Sequence, residues 1–349
     1  MKKFNRKTLA LMLALSISAG MTVPAAAYNT TDAANKSEAL QTLNLLTDAA
    51  SDGKLGDSLT RMDALSLIMR LAGLESQAFW GDETSHPFTD LPSDEDIDNL
   101  VGYAYENGLV KGSSATEFSP NEEVTAQMFV TFTLRALGYD DTNNAIWNNW
   151  EKLGKQAGLL NGVNTSDFNL GDAIVVSFAA LGSDLKNENM TLSDRLVENY
   201  LISDLSLSIA EIITGKTVTK NSSLIDIMGA MYSNVKDGIP ANRLTTTEIT
   251  SDNLSYFLGV DKLDFVEGLA CEPMMMAQAH SVCLIRVKDG TDVEQVKKDI
   301  RAKVDPRKWI CVGVDEENIY VENIGNLILL VMDNSNPTGL VEGFKKLDK

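Results

Sequence analysis

One helical pattern occurs three times between residues 39 and 183, and a recurring unit of this kind constrains the fold more than any other feature of the chain. Leu59-Thr60-Arg61-Met62-Asp63, Val124-Thr125-Ala126-Gln127-Met128 and Phe168-Asn169-Leu170-Gly171-Asp172 open the three copies. In each, a glycine follows thirteen residues after the Thr or Asn position: Gly73, Gly138 and Gly182. A side chain able to cap the first turn and a glycine free to turn left-handed after the last are the expected limits of a helix. Between these limits apolar residues recur in register: Leu65, Val130 and Ile174; Met69, Leu134 and Phe178; Ala72, Leu137 and Leu181. Steps of four and then three put them on one face. A unit with one apolar face buries it only by stacking on its neighbours, so the copies should share a core.

Upstream of each repeated helix the sequence predicts a second, shorter one, over Ile97 to Asn107 and Ile146 to Ala157, closed by Gly108 and Gly158. The first copy is degenerate there, with Leu43-Asn44-Leu45-Leu46 in that place. The clearest copy reads Phe88-Thr89-Asp90, then Gly102-Tyr103-Ala104-Tyr105-Glu106-Asn107-Gly108-Leu109-Val110-Lys111-Gly112, then Phe118-Ser119-Pro120 and Val124-Thr125. These residues resemble the S-layer homology (SLH) domain family over about residues 39–205, with copies at 39–75, 86–140 and 145–183 and a trailing helix from Thr191-Leu192-Ser193-Asp194. The resemblance implies an all-α, three-repeat, pseudo-threefold helical bundle with ligand grooves between copies. It also implies non-covalent attachment of an exported protein to secondary cell-wall polysaccharide, often through pyruvylated sugars.

A pyruvate ketal fixes a carboxylate on a sugar, which a guanidinium can grip with two parallel charge-assisted hydrogen bonds. A helix N-terminus beside it adds N–H donors and a favourable dipole. On that pattern the expected glycan-binding residues are Thr60, Arg61, Asp63, Thr125 and Asp172. Only the first copy keeps the Thr-Arg pair; the second has Ala126 in the arginine's place and the third keeps only the acid. One basic groove is therefore expected where the family pattern would give several. Read without the resemblance, Thr60 and Thr125 are N-caps, Asp63 and Asp172 favour the helix dipole, and Arg61 is a first-turn residue. Phe118, Trp147 and Trp150 read as core or groove wall, with sugar stacking as the alternative for the two tryptophans. Asp94-Glu95-Asp96 with Asp98 lacks the spaced ligands and loop glycine of a calcium loop and reads as a solvated helix start.

The chain opens with Lys2, Lys3, Arg6 and Lys7, an apolar stretch from Leu9 to Ile17, and small residues at Ala25 and Ala27. That is the pattern of a secretory signal peptide over residues 1–27, cleaved before Tyr28. Its apolar part falls short of the roughly 20 residues a permanent span needs, and no later run is longer than a strand. The expected location is outside the cell, at the wall or surface. Losing the four cations of the signal takes the formal charge from −19 to −23, which disfavours nucleic acid and anionic membranes as partners. Cys271, Cys283 and Cys311 are too few and too irregular for a disulfide framework. They read as buried thiols, or as one bridge, Cys283–Cys311 or Cys271–Cys283. With only His86 and His280 to join them, neither a metal site nor a cofactor is expected.

The polar run from Gly215 to Ser223 falls within an expected linker at 206–222. Gly215-Lys216-Thr217 lacks the glycine of a phosphate-binding loop five positions earlier, where Ala210 stands. Residues 223–349 read as a small α+β domain with a mostly antiparallel sheet. Its expected helices carry Leu224, Ile227, Met228, Met231 and Val235, and Val293, Val296, Ile300 and Val304, the second capped by Thr291 with Glu294. Its expected strands are Ser281 to Val287, Trp309 to Val314, Asn318 to Val321 and Leu327 to Met332. Glu272-Pro273-Met274-Met275-Met276, His280-Ser281-Val282, Arg286 to Gly290, Asp305 to Ile310 and Gly325-Asn326-Leu327 resemble a bacterial domain of unknown function found in secreted and lipid-anchored envelope proteins. That resemblance brings no activity with it. His280 and Ser281 are neighbours on a strand and should face opposite ways, which argues against a nucleophile pair. Met274 to Met276 and the Arg307-Lys308-Trp309 run are candidates for core packing or for contact with an envelope protein partner.

The sequence thus describes a multidomain, exported, non-enzymatic envelope protein, with an SLH-like bundle for attachment and an α+β module of unassigned role. The competing reading is a protein–protein interaction module whose degenerate repeats no longer bind glycan.

Overall fold

The structure, a computed structural model, describes residues 30–81, 84–235 and 238–348. The expected signal peptide and its cleavage site lie outside these residues. The chain divides into two compact units between Leu201 and Ile202, with residues 42–44 grouped with the second.

The first unit is helical: α1 (Thr30–Thr42), α2 (Asp48–Asp52), α3 (Arg61–Leu71), α4 (Glu75–Trp80), α5 (Glu95–Glu106), α6 (Ala126–Ala136), α7 (Ala145–Gln156), α8 (Leu170–Leu181) and α9 (Leu192–Glu198). The repeated helices are α3, α6 and α8, and each begins where its cap predicts. Thr60 and Asn169 accept from the N–H three residues on, while Asp63 and Asp172 reach back to the cap, closing a capping box at each. Thr125 caps α6 through the N–H of Met128. The three helices contact one another pairwise, and Leu65, Val130 and Ile174 are fully buried. Gly73 and Gly138 take left-handed backbone at φ 70° and 80°. Gly182 does not; it stays right-handed at φ −85°.

The degenerate first copy keeps the turn that its sequence disguises. After α5 and α7, Gly108 and Gly158 are left-handed, and Asn44 takes the same conformation at φ 57°. The next residue then reaches back identically in all three: Leu45 N–H to Leu40, Leu109 to Ala104, and Leu159 to Gly154. Asparagine is the side-chain-bearing residue best suited to that conformation.

The second unit holds α10 (Asp204–Ile213), α11 (Leu224–Tyr232), β1 (Leu244–Glu248), α12 (Leu254–Leu258), β2 (Phe265–Pro273), β3 (His280–Val287), α13 (Val293–Lys303), β4 (Ile319–Ile324), β5 (Leu327–Asp333) and α14 (Pro337–Lys345). The sheet order is β1-β2-β3-β5-β4, with every pair antiparallel. Both faces are covered, so β3 and β5 are buried along almost their whole length, Arg286 being the one half-buried residue of the two. Val282, Leu284, Leu327, Leu329 and Val331 pack with residues of α10, α11 and α14. Cys283, Ile285, Ile328, Leu330 and Met332 pack with α12, α13, Trp309 and Val314. Gly343 lets α14 meet α11 closely, since a Cβ there would lie 3.0 Å from the Met231 Cα.

Four expectations need correction here. Residues 206–222 are not a linker throughout: they begin inside α10, whose Leu205 and Ile209 are buried in the core of the second unit. Trp309 to Val314 is an irregular segment, broken by Cys311 at φ 60°. The cap of α13 is Asp292, which accepts from Gln295 N–H, while Thr291 turns back to the Lys288 carbonyl. Finally, the alternative of a disulfide bridge falls: all three cysteines are free, Cys271 and Cys283 as buried thiols and Cys311 exposed. Cys271 pairs with Val282 and Cys283 with Ala270 across β2–β3, which turns the two buried thiols to opposite faces of the sheet.

Candidate functional site

The three repeated helix starts are built from the same parts and finished differently. At α3, the N–H groups of Arg61 and Met62 donate to the carbonyls of Glu122 (2.8 Å) and Pro120 (3.1 Å) in the loop before α6. At α8, those of Leu170 and Gly171 donate to Asp57 and Leu55, both at 2.8 Å, in the loop before α3. Each start is thereby plugged by another copy's loop. Among the described residues, Ala126 and Gln127 make no corresponding backbone bonds to the third copy's loop. There the link is a ring contact, Phe129 to Phe168 at 5.5 Å between centroids.

Arg61 points inward. It is 4% exposed, with Nε donating to the Phe118 carbonyl (2.9 Å) and an Nη to the Lys111 carbonyl (3.2 Å). Its guanidinium lies over the rings of Phe118 and Phe132, 4.9 and 5.5 Å from their centroids. Burial pulls its pKa down and the neighbouring Glu122 carboxylate opposes this; a guanidinium remains charged regardless. Asp90 fixes the loop that Arg61 grips, accepting from the N–H groups of Phe118 (2.8 Å) and Ser119 (2.7 Å).

The other expected residues divide in the same way. Thr60 and Asp63 satisfy each other, with the Thr60 hydroxyl donating to Asp63 Oδ2 at 2.7 Å. Asp172 is fully buried and holds the preceding loop through Asn164 N–H at 2.7 Å; burial raises its pKa. Thr125 is exposed, and the first turn of α6 carries Gln127, whose Nε2 donates to the carbonyl of the part-exposed Trp147 at 3.0 Å. Thr60 and Arg61 thus meet the loop leading into Thr125, with Thr60 bridging to Glu123, while Asp63 is held by Thr60. Asp172 belongs to another junction.

Two arginines belong to this architecture and were passed over in the sequence. Arg70 donates to the Leu46 carbonyl (2.7 Å) and pairs with Glu75; Arg135 donates to the Leu109 carbonyl (3.3 Å) and pairs with Asp141. They stand at the same position of α3 and α6, which was the available signal. In the third copy Ala179 replaces the arginine, and the Ser183 hydroxyl donates to the Ala157 carbonyl instead (3.2 Å).

In the second unit His280 and Ser281 do face opposite ways. His280 lies between Tyr232 (2.5 Å) and Asp333 (3.1 Å). Ser281 accepts from Lys308 (3.2 Å), whose ammonium pairs with Glu272 at 2.6 Å and lies over the rings of Tyr256, Phe257 and Trp309. The Lys308 side chain is only 4% exposed, so the expected basic contact surface at 307–309 loses its central charge to the interior. Met274, Met275 and Met276 are 40–68% exposed. Among the described residues no cluster of three His, Cys, Asp or Glu is placed to hold a metal ion, and no helix is long and apolar enough to cross a membrane.

No family model matches the chain. It is 24% identical over 286 residues to a cell surface protein of Thermoanaerobacter kivui, covering 78% of this chain and 35% of that protein. It is 30% identical over 157 residues to the middle cell wall protein of Brevibacillus brevis, covering 43% of this chain and 15% of the relative. The surface layer protein of Brevibacillus choshinensis is 29% identical over 174 residues, 47% of this chain and 15% of its own length. The chain spans about a third or less of each of these relatives.

Proposed function

We propose that this is an exported cell-envelope protein whose helical unit is a pseudo-threefold bundle of SLH-type repeats that attaches it, non-covalently, to anionic secondary cell-wall polysaccharide. The relatives' names support the envelope location, and the two plugged helix starts beside one open start support the attachment site. The observation that carries the reading is the start of α6. Thr125 is exposed there, the Gln127 N–H makes no backbone bond to a neighbouring loop among the described residues, and Trp147 lies alongside, so a backbone N–H donor, the positive end of a helix dipole and an aromatic surface converge above the buried Ala126. Arg61 serves this site by holding the loop of residues 111–122 that leads into α6. Thr60, Asp63 and Asp172 fix the neighbouring starts. On this reading residues 202–348 are the second module, which faces outward from the wall or binds an envelope protein partner.

Gln127→Glu tests the site. It adds a like charge to an anion site at a first-turn position where an acid is favourable to the helix, and it gives up the Gln127 bond to the Trp147 carbonyl, so Gln127→Ala, which loses the same bond without adding charge, is the control for folding. Wall affinity should drop at least tenfold; unchanged affinity would remove α6 from the binding surface. The inward Arg61 and Asp172 favour a second reading, in which the bundle is a scaffold for protein contacts alone. Retention by protein-free walls would argue against it.

A further inference from the structure

We infer that the groove between α4 and α5 is a binding site for an uncharged saccharide, separate from the helix starts and independent of the wall-anchoring reading. Trp80 is 87% exposed, against 39% for Trp147 and 6% for Trp309. An indole left in water at the end of a short helix is an unfavourable surface unless something covers it, and it forms one wall of a groove of about 610 Å³ with Ser76, Gln77, Tyr103, Glu106 and Asn107. That size suits a small ligand. An aromatic face flanked by amide, hydroxyl and carboxylate groups matches a sugar ring, which has an apolar C–H face and a polar rim.

The polar groups specify the charge of the ligand. Asn107 donates one of its two amide N–H groups to the Tyr103 carbonyl at 2.9 Å, which leaves its oxygen as an acceptor and one N–H as a donor. Gln77, oriented to satisfy its amide, donates to the carbonyls of Gly73 (3.1 Å) and Leu74 (3.3 Å) and likewise keeps its oxygen. Glu106 Oε1 accepts from the N–H and hydroxyl of Ser85, and its second oxygen has no partner among the described residues. Among its described lining residues the groove therefore offers amide and carboxylate acceptors, uncharged donors such as the Ser76 and Tyr103 hydroxyls, and one negative charge, with no lysine or arginine. O–H and N–H donors of a neutral sugar complement it. A carboxylated sugar meets a like charge and finds no cation.

The test is titration of the full chain from Tyr28 with chitotetraose, cellotetraose and tetragalacturonate, read by tryptophan fluorescence and calorimetry. Saturable binding of at least one neutral tetrasaccharide is expected, with tetragalacturonate at least tenfold weaker. Trp80→Ala should weaken the neutral ligand at least tenfold with an unchanged melting temperature, because the side chain is in solvent, while Trp147→Ala should leave it alone. Failure of both neutral sugars to bind, equal binding by Trp80→Ala, or preference for the acidic sugar would each overturn the proposal. Wall sedimentation by the Trp80→Ala variant reports on anchoring separately, so the two readings fail independently.

Discussion

Arg61 shows how one residue can be read correctly in position and incorrectly in direction. Its place at the start of a capped helix was visible in Thr60-Arg61-Met62-Asp63. The carbonyls that claim it, of Lys111 and Phe118, are 50 and 57 residues away in sequence, and no local pattern announces them. Arg61→Ala leaves both carbonyls without their donor inside the unit, so a loss of about 3 kcal/mol is expected in urea unfolding. Arg61→Lys should recover less than half of it, since an ammonium cannot reproduce the fork. Two buried carboxylates carry opposite pH signatures. Burial pushes the Asp333 carboxyl up, but the His280 hydrogen bond and backbone N–H groups outweigh it, and the pKa falls below the ordinary 3.8. Its contribution is therefore present above the unfolded value and lost as pH falls through the lowered folded one. Asp172 has a raised pKa, so its contribution is full below the unfolded value and fades as pH rises through the raised one. Asp333→Asn should flatten the acid side of the second unit's stability profile and cost more at pH 7 than Asp172→Asn costs the first, as urea midpoints at several pH values would show.

Elements were legible wherever one face was apolar and an end was capped. α3, α6, α8 and α9 begin at the residues their caps predict, and β5 occupies the longest apolar run among the described residues, Leu327 to Met332. β1 and β2 escaped notice because Thr245-Thr246-Thr247 forms a half-exposed edge, and Gly268 and Glu267 interrupt the apolar pattern beside it. The Trp309–Val314 segment misled in the other direction: its side chains are strand-like in composition, but Trp309 and Val314 fill one face of a core while Cys311 turns left-handed between them. Burial also sorts the thiols, raising Cys271 to about 12 and Cys283 to about 11. A thiol reagent at neutral pH should modify Cys311 alone in the folded protein and all three cysteines in denaturant. Rapid labelling of two or more would contradict the sheet geometry. Gly343 is set by packing against α11, and Gly343→Ala should cost about 1–3 kcal/mol as the two helices are forced apart.

At the scale of the whole molecule, the division into a helical and an α+β unit was legible, but its boundary was not. α10 ends just before the polar run that starts at Gly215, and its apolar face belongs to the second core, a long-range preference that composition does not reveal. The attachment claim rests on the first unit and on surface-protein relatives that this chain covers only in part. Its most direct test is co-sedimentation of the chain from Tyr28 with purified, protein-free cell walls, before and after chemical removal of their secondary polysaccharide. The account predicts retention by the complete walls and release when the polysaccharide is gone. Equal retention by both, or none by either, would contradict it.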